Sequence, residues 1–242
     1  MIGIILAAGR GSRLKKMTRD IPKCLLKFKN KTILERIVEN FLLNGIQEIY
    51  IVTGYKSKKI INQNIKKKIF NKRWNTTSIL SSLICCNKLL LKNECIISYA
   101  DIIYDYKCIK DLKSSKSEVS ILSNTNWKSL WKKRFANPLS DLESFRLKNN
   151  ILVDIGNKVR SLHFIQGQFM GLLKIKPNGW KKIINHRRNF YKNYTNKIDI
   201  TTFLKSYINA KRNKVFVKKT KHFWYEIDFI KDYKFAKKEI KL

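Results

Sequence analysis

The sequence predicts an α/β domain with a mixed, mainly parallel central sheet and a β-rich insertion in its second half. Three observations predict it. The chain opens on an unbroken apolar run, residues 2–7, that ends in Gly-rich sequence, as a strand buried on both faces does. Strand and helix patterns then alternate as far as Asp101, the order expected of parallel strands joined by helical crossovers. Beyond Asp111 short strand patterns and a hairpin signal take over.

Each element has a local reason. Residues 9–22 are rich in Gly, Ser, Thr and charge and read as a loop, and 24–28 as a short strand turning at Lys29-Asn30. Residues 33–44 place Ile33, Leu34, Ile37, Val38, Phe41 and Leu42 on one helical stripe, capped by Thr32 and stopped by Gly45. Residues 48–53 form the next strand and 56–66 a basic helix. Thr77 or Ser78 caps a helix over 79–91, and 95–99 is a strand that delivers Asp101. Residues 118–123 read as a strand and 124–140 as irregular chain carrying Trp127 and Trp131. Strands 143–147 and 151–155 flank Asn149-Asn150, a hairpin turn pair. Strand 169–175, helices 180–191 and 200–209, strand 215–217 and helix 230–238 complete the chain.

Charge suggests one class of partner and its make-up argues against it. The chain carries 52 Lys+Arg against 17 Asp+Glu, a net +35. A nucleic-acid binder gathers such charge on one face. Here 41 of the 52 are Lys and 11 are Arg, spread from Lys15 to Lys241, while Arg is the preferred base and phosphate fork. With Ile and Asn also abundant, the pattern reads as composition on a solvated surface, with no nucleic-acid partner. Five Cys without CxxC spacing and three His exclude a zinc framework and disfavour disulfides, so a reducing cytoplasm is expected. No apolar stretch approaches the ~20 residues of a membrane span, and the first strand lacks the basic flank of a signal peptide.

Chemistry concentrates after the first strand, in Leu6-Ala7-Ala8-Gly9-Arg10-Gly11-Ser12-Arg13, followed by Pro22-Lys23. Ligands of open α/β sheets bind beyond the carboxyl ends of the strands, where small residues let backbone N–H groups approach phosphates. Arg13 and Lys23 add positive charge on the same ligand. The Walker Gly-Lys-Ser/Thr is absent, and so is the third Gly of a dinucleotide fingerprint.

This segment, GIILAAGRGSRLKKMTRDIPKCLL over residues 3–26, resembles the signature of the nucleotidyltransferases that activate sugar and small-alcohol phosphates with an NTP. Val52-Thr53-Gly54-Tyr55, Tyr99-Ala100-Asp101 and Trp224-Tyr225-Glu226-Ile227-Asp228 with Asp232 are similar to later motifs of that family. Residues 134–143, Ile155-Gly156-Asn157-Lys158 and 167–173 resemble its phosphocholine and aminoethylphosphonate cytidylyltransferase branch. The resemblance implies a Rossmann-like nucleotidyltransferase domain over residues 1–242, with a nucleotide-binding half (1–123) and an acceptor-binding, closing half (124–242). It implies CMP transfer from CTP to a small phosphate or phosphonate with loss of pyrophosphate. A uridylyl- or thymidylyltransferase acting on a sugar 1-phosphate is the alternative.

The resemblance also assigns residues. Asp101 and Asp228 would hold Mg²⁺, a hard cation that takes carboxylate and phosphate oxygens, with Asp105 and Glu226 behind them. Arg13 and Lys23 join the two aspartates as the catalytic set. Leu6, Ala7, Ala8, Gly9, Gly11, Ser12, Gly54, Tyr55, Asn75, Ser78, Ser82 and Ala100 would enclose the nucleotide. Trp131, Asp141, Lys158, Gln168, Trp224, Tyr225 and Glu226 would meet the acceptor. The aromatic residues serve equally well as core, whereas Asp141 is favoured as a contact because a buried carboxylate needs a partner. A homodimer through an exposed apolar helix face is compatible with the pattern.

Overall fold

The computed structural model describes residues 1–190, 197–210 and 213–239. Strand β1 (Ile2–Ala7) is followed by a loop, the two-residue strands β2 (Lys27–Phe28) and β3 (Lys31–Thr32), and helix α1 (Ile33–Leu43). Then come β4 (Ile49–Thr53), β5 (Lys67–Phe70), α2 (Ile79–Ile84), α3 (Asn87–Leu90), β6 (Cys95–Tyr99), β7 (Ile102–Tyr104), α4 (Lys107–Lys113) and β8 (Val119–Asn124). The second half holds α5 (Trp127–Arg134), β9 (Glu143–Lys148), β10 (Ile151–Lys158), β11 (Gln168–Ile175), α6 (Pro177–Phe190), α7 (Ile200–Asn209), β12 (Phe216–Thr220), β13 (Trp224–Glu226) and α8 (Ile230–Glu239).

Nine strands form one sheet in the order β5-β4-β1-β6-β11-β8-β12-β10-β9. Pairing is parallel from β5 through β6 and between β8 and β12, while β11 and β10 run against their neighbours. Seven of the nine strands therefore share one direction, and β1 lies between β4 and β6, buried on both faces as its apolar run requires. Helix α1 starts on a capping box: Glu35 N donates to Thr32 Oγ1 at 3.1 Å and Thr32 N donates to Glu35 Oε2 at 2.6 Å. Its Ile33, Leu34, Ile37, Val38 and Phe41 are buried, and Gly45 follows at φ +71°.

Four sequence expectations need correction. Residues 56–66 are no basic helix but a 3₁₀ turn at Ser57–Lys59 leading to edge strand β5. Lys56 sits at φ +47° and Asn62 Oδ1 accepts from Asn64 N, so local turns win where no helical apolar stripe exists. The segment 24–28 is strand only at β2, with Lys23–Leu25 in a 3₁₀ turn. The helix expected over 79–91 breaks at Cys85-Cys86 into α2 and α3. Residues 124–140 are not wholly irregular: Trp127, Trp131 and Arg134 recur at helical spacing and are the buried face of α5. The last residue of the expected 180–191 helix, Tyr191, lies outside the described residues. The hairpin stands where expected, with Asn149 at φ +51° and Asn150 at φ +60°.

Candidate active site

The site lies beyond the carboxyl ends of β1 and β6, where two separate chain segments are stitched together. Strand β13 pairs antiparallel with β7, aligning Glu226 with Ile102, and Ile227 N donates to Asp101 O at 2.9 Å. That pairing brings Asp101, at the end of β6, beside Glu226 and Asp228. One carboxylate oxygen of each lies within 4.8 Å of the others. Asp228 follows β13 in a turn that Asp232 fixes: its Oδ2 accepts from Asp228 N at 3.0 Å and Phe229 N at 2.8 Å.

Two cations face the carboxylates. Lys23 Nζ lies 2.9 Å from Asp101 Oδ2 and 3.1 Å from Asp228 Oδ1, and Arg13 Nη2 donates to Asp228 Oδ1 at 2.8 Å. The Lys23 stem passes under the β1 loop at Gly11, where φ is +73° and an added Cβ would stand 2.9 Å from Lys23 Cδ. Only glycine accepts that conformation and that approach together. Thr18 Oγ1 closes the loop by donating to Gly11 O at 2.9 Å.

The electrostatics follow from burial and proximity. Burial opposes the Lys23 charge, but Asp101 and then Asp228 outweigh it and hold its pKa above the ordinary lysine value. Burial likewise acts to raise Asp228, yet Lys23 and then Arg13 hold it below the usual carboxylate range. Glu226 moves the other way: burial first, then Asp228 and Asp101, push its pKa up. Cys24, on the same wall, is raised to about 12 by burial and is a poor thiolate nucleophile at neutral pH.

Two cavities meet at this cluster. The first, about 250 Å³, is lined by Leu6, Ala7, Ala8, Gly9, Gly11, Arg13, Lys23, Ser78, Ser82, Ala100, Asp101 and Asp228, with Cys24, Trp74, Thr77 and Ile79. The second, about 370 Å³, shares Arg13, Ile79 and Asp228 and carries Trp131, Asp141, Gln168 and Glu226, with Tyr99, Glu143, Phe169, Asp199 and Thr201 on its walls. Six of the chain's 17 acids and only two of its 52 Lys and Arg residues line the pair. In so basic a protein that inversion is not composition.

Several expected contacts stand elsewhere. Ser12, Gly54, Tyr55 and Asn75 line neither cavity. Gly54 instead admits Trp74, whose Cβ would lie 2.4 Å from a Cβ at that position, and Tyr55 meets the Trp74 ring edge-on at 5.4 Å. The Tyr55 hydroxyl donates to Arg19 O. Lys158 is exposed at the end of β10 and lines neither cavity, because the strand carries it out to solvent. Trp224 and Tyr225 are core: Trp224 stacks on Trp131 at 5.8 Å and Tyr225 on Phe235 at 5.7 Å. Asp141 lines the second cavity but is exposed, not buried. Asp105 is outside the carboxylate cluster and accepts from Lys107 N at 2.8 Å at the start of α4. Glu226 is inside it, nearer the centre than its expected supporting place.

The sequence reasoning missed Trp74, Tyr99, Glu143, Asp199 and Arg134. Tyr99 stands directly before Ala100-Asp101, and Asp199 is the N-cap of α7, accepting from Thr202 N at 2.7 Å. Trp74 carries no local signal; Arg134 shares the helical spacing of Trp127 and Trp131, but only the assembled fold places it beside Asp232 and Glu226.

Comparisons with known proteins bear on the family and the fold. Residues 2–121 match the family described as nucleotidyl transferase. The chain is 35% identical to the CTP:phosphoglutamine cytidylyltransferase of Campylobacter jejuni, over 96% of this chain and 97% of that protein. Among solved structures it resembles the inositol-1-phosphate CTP transferase of T. maritima, at TM-score 0.75 and 17% identity, covering 99% of this chain and 97% of the other. It also resembles the CTP:phosphocholine cytidylyltransferase of Streptococcus pneumoniae, at TM-score 0.74 and 20% identity, covering 99% of each chain. At those identities the likeness of the two structures is one of fold.

Proposed function

The chain belongs to the nucleotidyl transferase family, and from that membership we propose a Mg²⁺-dependent cytidylyltransferase that moves CMP from CTP to the phosphate of a small, amine-bearing acceptor. The observation that carries it is the junction of the two cavities: three carboxylates, Arg13 and Lys23 meet where a nucleotide on one side and an acceptor on the other would touch.

An acceptor phosphate oxygen attacks the α-phosphorus of CTP in line. A new P–O bond forms, and the bond from the α-phosphorus to its bridging oxygen breaks, its electron pair leaving with pyrophosphate. A phosphate monoester is largely dianionic near pH 7, so no general base is required. The described cavity walls hold no His, and Cys24 is held protonated, which favours direct transfer over a covalent enzyme intermediate. Arg13 and Lys23 offset charge on the α-phosphate and on the departing pyrophosphate.

The metal fits the residues present. Asp101, Glu226 and Asp228 offer hard oxygen ligands at one point, and Asp101 Oδ1 is buried without a hydrogen-bond partner. When bound, Mg²⁺ would supply positive charge shared between these carboxylates and phosphate oxygens.

Cytosine as the base is proposed from the relatives' named activity; Trp74, Ser78 and Ser82, which line the first cavity, would meet it. The acceptor's amine follows from the acids of the second cavity, Asp141 and Glu143 foremost, beside the Trp131 ring. The C. jejuni relative is named for phosphoglutamine, an acceptor with an amino group; 2-aminoethylphosphonate carries a primary ammonium and phosphocholine a quaternary one. Glucose 1-phosphate offers no cation to those acids.

Pyrophosphate release with ATP, GTP, CTP, UTP and dTTP, against phosphoglutamine, phosphocholine, 2-aminoethylphosphonate and glucose 1-phosphate, tests the proposal. We expect CTP with an amine-bearing acceptor to lead and chelation to stop turnover. Preference for UTP or dTTP with glucose 1-phosphate would overturn it.

A further inference from the structure

Arg134 ends α5 with its side chain wholly buried. Its Nε reaches Asp232 Oδ1 at 3.3 Å and its Nη2 reaches Oδ2 at 3.3 Å. Asp232 Oδ2 is the atom that receives the Asp228 and Phe229 backbone N–H groups. The third nitrogen, Nη1, lies 3.6 Å from Glu226 Oε2. One planar guanidinium therefore braces the Asp228 turn through Asp232, while its Nη1, buried and without a hydrogen-bond partner, faces Glu226 at ion-pair distance only. Its central carbon also lies 5.1 Å from the centre of the Trp131 ring, which lines the acceptor cavity.

We propose that Arg134 is a positioning residue: its fork on Asp232 fixes the Asp228 turn, its remaining nitrogen holds Glu226 towards that turn by charge, and its contact with Trp131 ties the pair to the acceptor wall. The inference rests on the metal reading above. Stability alone does not call for this arrangement, because a buried ion pair replaced by well-packed apolar groups is often neutral or better. Three nitrogens in one plane, shared between two carboxylates, are what Arg provides and Lys cannot.

The test is Mn²⁺ binding in the presence of CTP without acceptor, read as the loss of the free-ion electron paramagnetic resonance signal beyond the loss that the same CTP causes without protein. The proteins are wild type, Arg134→Lys and Arg134→Met, with melting curves and kcat measured in parallel. Arg134→Lys keeps the charge and loses the fork. It should fold, bind Mn²⁺ roughly 10- to 100-fold more weakly, as loss of an outer partner of a metal ligand does, and regain kcat at high Mg²⁺. Arg134→Met decides the sign. Loss of a neighbouring cation would by charge alone tighten Mn²⁺, whereas positioning requires that it loosen. Wild-type affinity in folded Arg134→Lys, tighter binding in Arg134→Met, or a kcat loss that no Mg²⁺ concentration restores would overturn the proposal. A wild type that binds no Mn²⁺ with CTP would overturn the metal reading and the proposal with it.

Discussion

At the scale of single residues the site is a balance of opposed charges, and each member can be tested alone. Asp228 accepts from Arg13 and Lys23 together, so Asp228→Asn should leave Arg13 without its anion, leave Lys23 with Asp101 alone, and remove one of the proposed metal ligands. We expect kcat to fall by about 10²- to 10³-fold, the range found when one preorganised electrostatic group is lost, with the melting curve little changed. Retained pyrophosphate release would sink the assignment. Gly54 offers a different test, because it touches no cavity yet makes room for one wall. An alanine Cβ there would lie 2.4 Å from Trp74 Cβ and 2.6 Å from the Ala8 carbonyl oxygen, so the nucleotide wall has to shift. Gly54→Ala should cost about 1–3 kcal/mol and raise KM for CTP more than it lowers kcat, measured by steady-state kinetics. These two residues also mark the limit of the sequence. Asp101, Asp228, Lys23 and Arg13 are legible because the motif fixes their spacing from strand ends. Gly54 is legible as a glycine with a purpose, but its purpose, admitting Trp74, depends on a contact between segments about twenty residues apart.

At the scale of elements, legibility follows from how local the cause is. The β9–β10 hairpin is set by Asn149-Asn150, two adjacent residues that both tolerate a left-handed backbone. A β-branched residue does not, so Asn150→Val should cost about 1–2 kcal/mol and lower the melting temperature by roughly 2–8 °C, without change in kcat. Helix α1 is equally local, since its cap and its stripe lie within one segment. The pairing of β7 with β13 is the opposite case. Ile102 and Glu226 are far apart in the chain, both strands are three residues long, and no periodicity announces them. That small sheet nonetheless assembles the carboxylates, which is why Glu226 reads in sequence as a supporting acid and in structure as a member of the cluster. The α6–α7 contact carries a pH dependence. His186 is buried, its Nε2 lies 3.0 Å from Ser206 Oγ, and burial holds its pKa below the ordinary value. A depressed native pKa means the unfolded chain takes up the proton first as pH falls. Stability is therefore fully present above about pH 6.5, the unfolded value, and declines below it towards the native pKa. The melting temperature should drop as pH falls below about 6.5, with a shallower drop in His186→Gln; equal slopes would remove His186 as the cause.

For the whole molecule, the net charge of +35 and the acid-lined site pull in opposite directions. The surface charge is legible as composition, and the two joined cavities show what composition conceals. The walls depart from that composition: six acids and two cations line them. A uniformly basic lining would bind phosphates at any angle and would repel an amine-bearing acceptor. The retained acids leave the basic surface a role at long range, drawing anionic nucleotide towards a mouth where Arg13 and Lys23 are the only cations on the described walls. Such a field is screened over about 8–10 Å near physiological ionic strength, so it acts on encounter and not on the chemical step. With CTP as the varied substrate, kcat/KM should fall as KCl rises from about 20 to 300 mM, while kcat stays nearly level, because the paired groups at the junction are partly buried and weakly screened. Loss of kcat in step with kcat/KM would place the salt effect on the carboxylate cluster itself. A kcat/KM indifferent to salt would show that the charge of this chain does nothing for substrate capture.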